Sequence, residues 1–347
     1  MKILHTADWH LDAPMQGYGE SLRQALAAVP AKILEIAREE KCDLVLISGD
    51  VFDGAYTPHT YQNLYETLKA MEVPVFITPG NHDFCAPESP WLKELWPENV
   101  HIFKTSQIES VALPELNCRV YGAGFGAMDC PALLANFRAD CSEKYAIGIF
   151  HGDPTQATSP YNPITKLQVQ GSNLDYLALG HIHKADQFVS GKTLCAWPGC
   201  PMGKGYDEQG EKGVYIVALE ETATVRFRPL NTPRFYDLQT EPEKLADVLP
   251  PVGNDHYYRI TLIGSCEAPD LVELQSEFAQ FPNLTLRDKT TRPVDVWGSL
   301  GEDSFEGTYF GLLKQAMDAA DGEEKQEILL SAEISRRLLE GQEVKLP

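Results

Sequence analysis

Five short polar clusters, each set directly behind a short apolar run, constrain this chain more than any other feature. They are Asp8-Trp9-His10, Gly49-Asp50-Val51-Phe52-Asp53, Gly80-Asn81-His82-Asp83, His151-Gly152-Asp153 and Gly180-His181-Ile182-His183. The runs before them, at 2–6, 43–48, 75–78, 145–150 and 176–179, read as strands, because they are apolar and bounded by turn residues. Two more runs, at 119–122 and 213–219, read the same way. Helical patterns lie between, at 21–40, where Pro30 should split the helix, and at 60–71. Such alternation predicts α/β architecture. In α/β sheets, ligand sites form beyond the carboxyl ends of strands. Five clusters at five strand ends are therefore expected to converge on one place.

The residue types in the clusters suit one purpose. Carboxylate, imidazole and amide oxygen together favour Mn²⁺, Fe²⁺ or Zn²⁺ over Ca²⁺ or Mg²⁺ alone. If the segments are extended, residues two apart face one side. Asp8 with His10, and His181 with His183, would then each present a pair of donors. A single histidine is usually a satisfied core residue. Five of the nine histidines interleaved with Asp and Asn at strand ends are poorly explained that way.

Asp-x-His, Gly-Asp, Gly-Asn-His-Asp, a later His and Gly-His-x-His, in this order over about the first 200 residues, resemble the calcineurin-like metallophosphoesterases. Gly54 and Asp83 stand where the phosphoprotein phosphatase branch usually has Arg and Glu, which sets the chain apart from that branch. The stretches HTADWHLDAP, GDVFDG, YLALGHIH and WPGCPMGKGYDEQGEKGVYIV look like the SbcD-type exonuclease subunits and, among these, the YhaO group. The resemblance implies a β-sandwich flanked by helices, a small α/β cap domain and two divalent metal ions, Mn²⁺ first, with Fe²⁺ or Zn²⁺ as alternatives. It assigns Asp8, His10, Asp50 and His183 to one ion, and Asp50, Asn81, His151 and His181 to the other, with Asp50 shared. Two such ions activate water and hold a phosphate for in-line attack, so no protein nucleophile is needed. His82 would act on the leaving oxygen, and Asp53 would orient it or else cap a helix. Asp83 reads as a loop-fixing residue, and Asp12 and Asp153 as turn-forming or supporting groups. Trp197-Pro198-Gly199 and 203–205 read either as a loop at the rim of the site or as ordinary turns.

The 347-residue chain exceeds one ordinary domain. A polar, turn-rich step at 231–233 closes the first part. A strand at 256–263, a helix at 270–281 and a strand at 284–287 follow, and then helical periodicity through Phe310, Leu313, Ala316, Ile328, Leu329, Ile334 and Leu338. The expected division is 1–232, a metallophosphoesterase (nuclease) domain; 233–300, the cap; and 301–347, a helical segment. That last segment either docks on a partner or packs on the chain's own core.

Lys and Arg total 29 against 50 Asp and Glu, a net charge of -21. That field repels polyanions and argues against tight autonomous binding of DNA, so DNA as substrate calls for a partner. The resemblance implies an SbcC-like coiled-coil ATPase. A homodimer is also compatible. The expected function is a DNA exonuclease or endonuclease subunit in repair, the alternative a phosphoesterase of small nucleotides or cyclic nucleotides. Eight cysteines without a C-x-x-C pair read as small buried apolar residues in a reducing cytosol. With no signal-like start and no long apolar run, the expected location is the cytoplasm, with no membrane contact.

Overall fold

The computed structural model describes residues 1–140, 142–250 and 255–341. It divides into two compact units, residues 1–237 with 253–259, and residues 238–252 with 260–347.

The first unit is built on two six-stranded sheets. The strands in chain order are β1 (Lys2–Thr6), β2 (Leu44–Ile47), β3 (Val75–Ile77), β4 (Val100–Ile102), β5 (Glu109–Leu113), β6 (Cys118–Ala123), β7 (Tyr145–His151), β8 (Tyr176–Gly180), β9 (Asp186–Ser190), β10 (Thr193–Trp197), β11 (Gly213–Leu219) and β12 (Ala223–Pro229). The first sheet runs β12-β11-β1-β2-β3-β4 and the second β5-β6-β7-β8-β10-β9. Within them β1 to β4 are parallel to one another, as are β6, β7, β8 and β10. Strands buried on both faces carry continuous apolar runs, which is why these runs were legible. Ile3, Leu44, Leu46 and Phe76 from one sheet pack with Val120, Ile147, Ile149 and Ala178 from the other. The opposite face of β1 and β2, through Leu4, Val45 and Ile47, packs with the helices Glu20–Ala27, Val29–Glu40 and Pro58–Lys69. The result is the expected sandwich flanked by helices. The ends of β1, β2 and β3 in one sheet and of β7 and β8 in the other carry the five polar clusters.

Periodicity alone missed β4, β5, β9, β10 and β12. β4 has only three residues, and β5, β9 and β12 are half-exposed edge or near-edge strands whose polar residues mask the pattern. The long first helix splits at Ala28, and Pro30 sits in the first turn of the second half, where no amide partner is lost.

A third sheet runs in the order β13 (Phe235–Thr240), β14 (Tyr257–Leu262) and β15 (Leu284–Asp288). The second unit contains the helix Leu271–Glu277 and the helices Phe305–Ala319 and Gly322–Leu339. Ser304 caps the first of the long pair by accepting from the Gly307 amide. A small core of Val296, Phe310 and Ala332 holds the pair. Arg336 is buried there, donating to Glu306, Ser299 and the Val296 carbonyl and lying over the Phe310 ring. Leu312, Leu330, Leu338 and Leu339 are exposed. Residues 342–347 of the expected 301–347 segment lie outside the described residues.

Cys42, Cys118, Cys130, Cys195 and Cys200 are buried, and Cys85 and Cys266 partly so. Cys141 lies outside the described residues. Among the described residues no helix is long and apolar enough to cross a membrane.

Candidate metal centre

The polar clusters are not extended. Asp8, His10, Asp50 and His181 have φ of 55°, 49°, 49° and 95°, in the left-handed region that side chains with a Cβ rarely adopt. The i, i+2 argument for paired donors therefore assumed the wrong backbone geometry. Tight reversals, not a pleat, aim these side chains. Backbone bonds hold the reversals in register: the Asp8 amide donates to Gly49 O (3.0 Å), His10 to Asp50 O (2.9 Å) and Leu11 to Val51 O (2.8 Å). Strain of this kind persists where surrounding bonds over-determine it, typically at functional sites. The motif glycines serve close approach. A Cβ on Gly49 would stand 2.2 Å from His151 Nδ1, and one on Gly80 2.2 Å from Asp50 Oδ1.

All seven expected ligands are brought together, and Asp8, His10, Asp50, Asn81 and His151 are buried. Their hydrogen bonds decide which atoms face inward. His10 Nδ1 bonds Asp53 Oδ1 (2.9 Å), and His183 Nδ1 bonds Glu208 Oε1 (2.5 Å). Each Nδ1 is thereby the donor, and each Nε2 carries a lone pair. Those two Nε2 atoms face one another at 3.1 Å. His151 Nδ1 donates to the Ser48 carbonyl (2.9 Å), and its Nε2 lies 3.0 Å from Asn81 Oδ1 and 3.3 Å from Asp50 Oδ2. His181 Nδ1 is 3.1 Å from the same Asn81 oxygen. Acceptors that confront acceptors at this spacing repel unless a cation lies among them. Ligands at about 2.0–2.2 Å from one ion stand roughly 3 Å apart, so the donor set fits divalent ions. Asp8, His10 and His183 form one tight group, and Asp8, Asp50 and His151 another.

The electrostatics make the same demand. Burial opposes a charge on His151, yet the carboxylates of Asp50 and Asp8 push its pKa up to about 9. Burial likewise opposes the Asp50 carboxylate, and the nearby His151 charge and hydrogen bond hold it below the usual range. Burial lowers His10 and His181. The cage thus draws positive charge to itself, from protons or from metal ions.

His82 sits differently. Its side chain is 47% exposed, and its Nδ1 lies 3.0 Å from Asp53 Oδ1. The Asp53 hydrogen bond raises its pKa. Asp53 thus serves two rings at once, His10 within the cage and His82 at its mouth, and these bonds hold its own pKa far below the ordinary value. Asp83 is buried and accepts from the amides of Gly80, Val51 and Phe52, tying the second and third clusters. Asp12 accepts from Thr57 and Thr60, and Asp153 from Thr155 and Gln156.

Sequence reasoning missed Glu208. It lies in an acidic, glycine-rich stretch with no periodicity, 25 residues beyond His183. Its signal was only the charge itself.

Comparison with known proteins agrees with this geometry. The family profile described as calcineurin-like phosphoesterase matches residues 1–185. The chain is 30% identical over 237 residues to the uncharacterized metallophosphoesterase YhaO of Bacillus subtilis, covering 62% of this chain and 57% of that protein. It is 28% identical over 259 residues to the SbcD component of nuclease SbcCD from the same organism, covering 62% and 66%. With the SbcD component of nuclease SbcCD from Escherichia coli K12 it shares 25% over 284 residues, covering 67% and 68%. The match spans less than two thirds of the length of the two Bacillus relatives.

Proposed function

The chain belongs to the calcineurin-like phosphoesterases, and from that premise we propose that it is a dinuclear-metal phosphodiesterase acting on DNA as a nuclease subunit. The observation that carries this reading is the confronting pair of acceptors, His10 Nε2 against His183 Nε2, each ring backed by a carboxylate on its other nitrogen. Asp8, His10, Asp50 and His183 would hold one ion, and Asp50, Asn81, His151 and His181 the other, with Mn²⁺ as the supporting metal. The ions, when bound, supply an activated water and charge neutralisation for the phosphate. His82 has its Nδ1 tied to Asp53, which leaves Nε2 to donate a proton to the leaving oxygen. The Asp53 hydrogen bond raises the pKa of His82, which favours its protonated form. Asp53, by gripping both His10 and His82, sets the distance between cage and acid.

The similarity to the SbcD components of SbcCD nucleases supports DNA as substrate and an SbcC-like coiled-coil ATPase as partner, in DNA repair in the cytoplasm. On this reading 1–232 is the nuclease domain, 233–300 the cap and 301–347 the docking segment. The exposed Leu312, Leu330, Leu338 and Leu339 support the last assignment. The net charge of -21 favours a second reading, hydrolysis of a small nucleotide or cyclic nucleotide, because it opposes binding of a polyanion.

One panel separates the two: Mn²⁺-dependent hydrolysis of duplex DNA, single-stranded DNA, an aryl phosphodiester and cyclic nucleotides. Cleavage of DNA in preference to cyclic nucleotides is expected. Turnover confined to the small substrates would establish the second reading, and none on any phosphodiester would overturn both.

A further inference from the structure

The segment between β10 and β11 wraps around His183 from two sides. Its backbone side is held by the Cys200 amide and the buried Lys212 Nζ, which donate to the His183 carbonyl at 3.3 and 3.2 Å. A Cβ on Gly199 would come within 2.5 Å of that same oxygen, so the chain passes against it with no room to spare. The ring side is held by Glu208. Its Oε1 accepts from His183 Nδ1 at 2.5 Å, while its Oε2 accepts from the Lys204 amide at 2.7 Å. The Glu208 amide in turn donates to Gly205 O (3.1 Å). The carboxylate is thus immobilised by its own loop before it touches the histidine.

We infer that Glu208 is a positioning residue for the metal centre: it fixes His183 in the Nδ1-H tautomer and aims its Nε2 lone pair at the ion shared with His10 and Asp8. The inference rests on the dinuclear reading above. A carboxylate behind a metal-binding imidazole fixes the ring and raises its basicity, and its loss typically costs 10–100-fold in metal affinity. His10 has the same arrangement with Asp53. The two facing imidazoles are therefore each backed by a carboxylate, one from the loop after β2 and one from the segment before β11.

Two other roles for Glu208 are less compatible with the distances. His183, Cys200 and Glu208 stand close enough to suggest an additional ion. However, 2.5 Å between Nδ1 and Oε1 is a hydrogen bond and is shorter than the roughly 3 Å that separates two ligands of one ion. A role confined to fixing the loop uses Oε2 and leaves the Oε1 contact unexplained.

The test is a calorimetric Mn²⁺ titration of the metal-free full-length protein and of Glu208→Gln, Glu208→Ala and Glu208→Asp, together with the thermal melting of each metal-free form. Long-range ¹⁵N correlation spectra report the His183 tautomer. In Glu208→Gln one of two ions should bind about 10–100-fold more weakly, the other nearly as before, with the metal-free melting temperature little changed. Glu208→Asp should recover part of the loss, and the His183 tautomer should no longer be uniformly Nδ1-H in the Ala variant. Unchanged affinity for both ions in Glu208→Gln overturns the inference. So does equal weakening of both ions with a large fall in metal-free melting, which is the signature of a loop-fixing role. A wild-type protein that binds no pair of ions overturns the dinuclear reading itself, and this inference with it.

Discussion

The metal cage and the C-terminal helix pair both depart from the rule that apolar groups go inside and charged groups outside, and they do so in opposite directions. At the ends of β1, β2, β3 and β7, carboxylates and imidazoles are buried, and at the end of β8 His181 and His183 are partly so. On the helices Phe305–Ala319 and Gly322–Leu339, Leu312, Leu330, Leu338 and Leu339 face outward. The cage carries its compensation with it: each buried ring has a partner on one nitrogen and a shared acceptor cluster on the other. The helix pair carries only part of its own, through Phe310, Ala332 and the Arg336 network. A departure that is compensated internally can be understood from one chain, whereas the exposed leucines have no such compensation among the contacts described.

The comparison breaks first at Asp50. It is buried and shared between the two assigned ion sites, so Asp50→Ala should remove both ions and abolish hydrolysis, as read by elemental analysis after Mn²⁺ loading. A variant that keeps one ion would show that the carboxylate is not shared. His82→Ala should keep both ions and lose about 10²–10⁴-fold in turnover, the usual range for a positioned acid. Loss of metal in that variant would move His82 from the mouth of the cage into it.

A sharper contrast comes from a buried histidine that belongs to neither region. His5 is packed between the sheets, with Nδ1 2.7 Å from Tyr176 Oη and Nε2 within reach of Ser48 Oγ and the Leu179 carbonyl. Burial pushes its pKa down from 6.5 to about 3. Below pH 6.5 the unfolded chain takes up a proton that the folded chain refuses. Stability from this group is therefore present above pH 6.5 and lost as pH falls toward 3, at up to about 1.4 kcal/mol per pH unit. Denaturant unfolding of the metal-free protein between pH 7 and pH 5 should show a slope that His5→Phe reduces by that order. An unchanged slope would mean that His5 is already charged in the fold.

The smallest effects lie in the helix pair. Arg336→Ala should destabilise the second unit by about 1–3 kcal/mol, discounted from a fully buried pair because Glu306 is 42% exposed. Leu338→Glu, at a 62% exposed position, should change stability by less than about 0.5 kcal/mol. Urea unfolding with a probe in this unit compares the two. A large cost for Leu338→Glu would show that the leucine is already covered within this chain.

The polar clusters were legible because each breaks an apolar strand abruptly, and chemistry of that kind has few other uses. Their backbone was not: nothing in Asp8-Trp9-His10 announces two left-handed residues, since that geometry is imposed by bonds to Gly49 and Asp50 some 40 residues away. Glu208 was invisible for a related reason. Its partner is His183, and the intervening β9 and β10 give no local sign that the chain returns. Arg336, a charged residue next to the apolar helical spacing of the C-terminal segment, is an internal anchor, which periodicity does not announce. Of the outward leucines Leu312, Leu330, Leu338 and Leu339, only Leu338 belongs to the helical spacing that the sequence carries, and Phe310, which belongs to it, is buried.

The cage draws on both layers of the sandwich, Asp8, Asp50 and Asn81 from one sheet and His151, His181 and His183 from the other. A bound cation pair would therefore act as a rivet between layers that otherwise meet through apolar side chains. Because a ligand that binds only the native state adds its binding free energy to that state, cation supply would tune how often the strand ends separate, and amides along β7 and β8 would exchange with solvent at rates set by the medium as well as by the chain. Under metal starvation the same sandwich would be a looser object, opened first at the end where its chemistry resides.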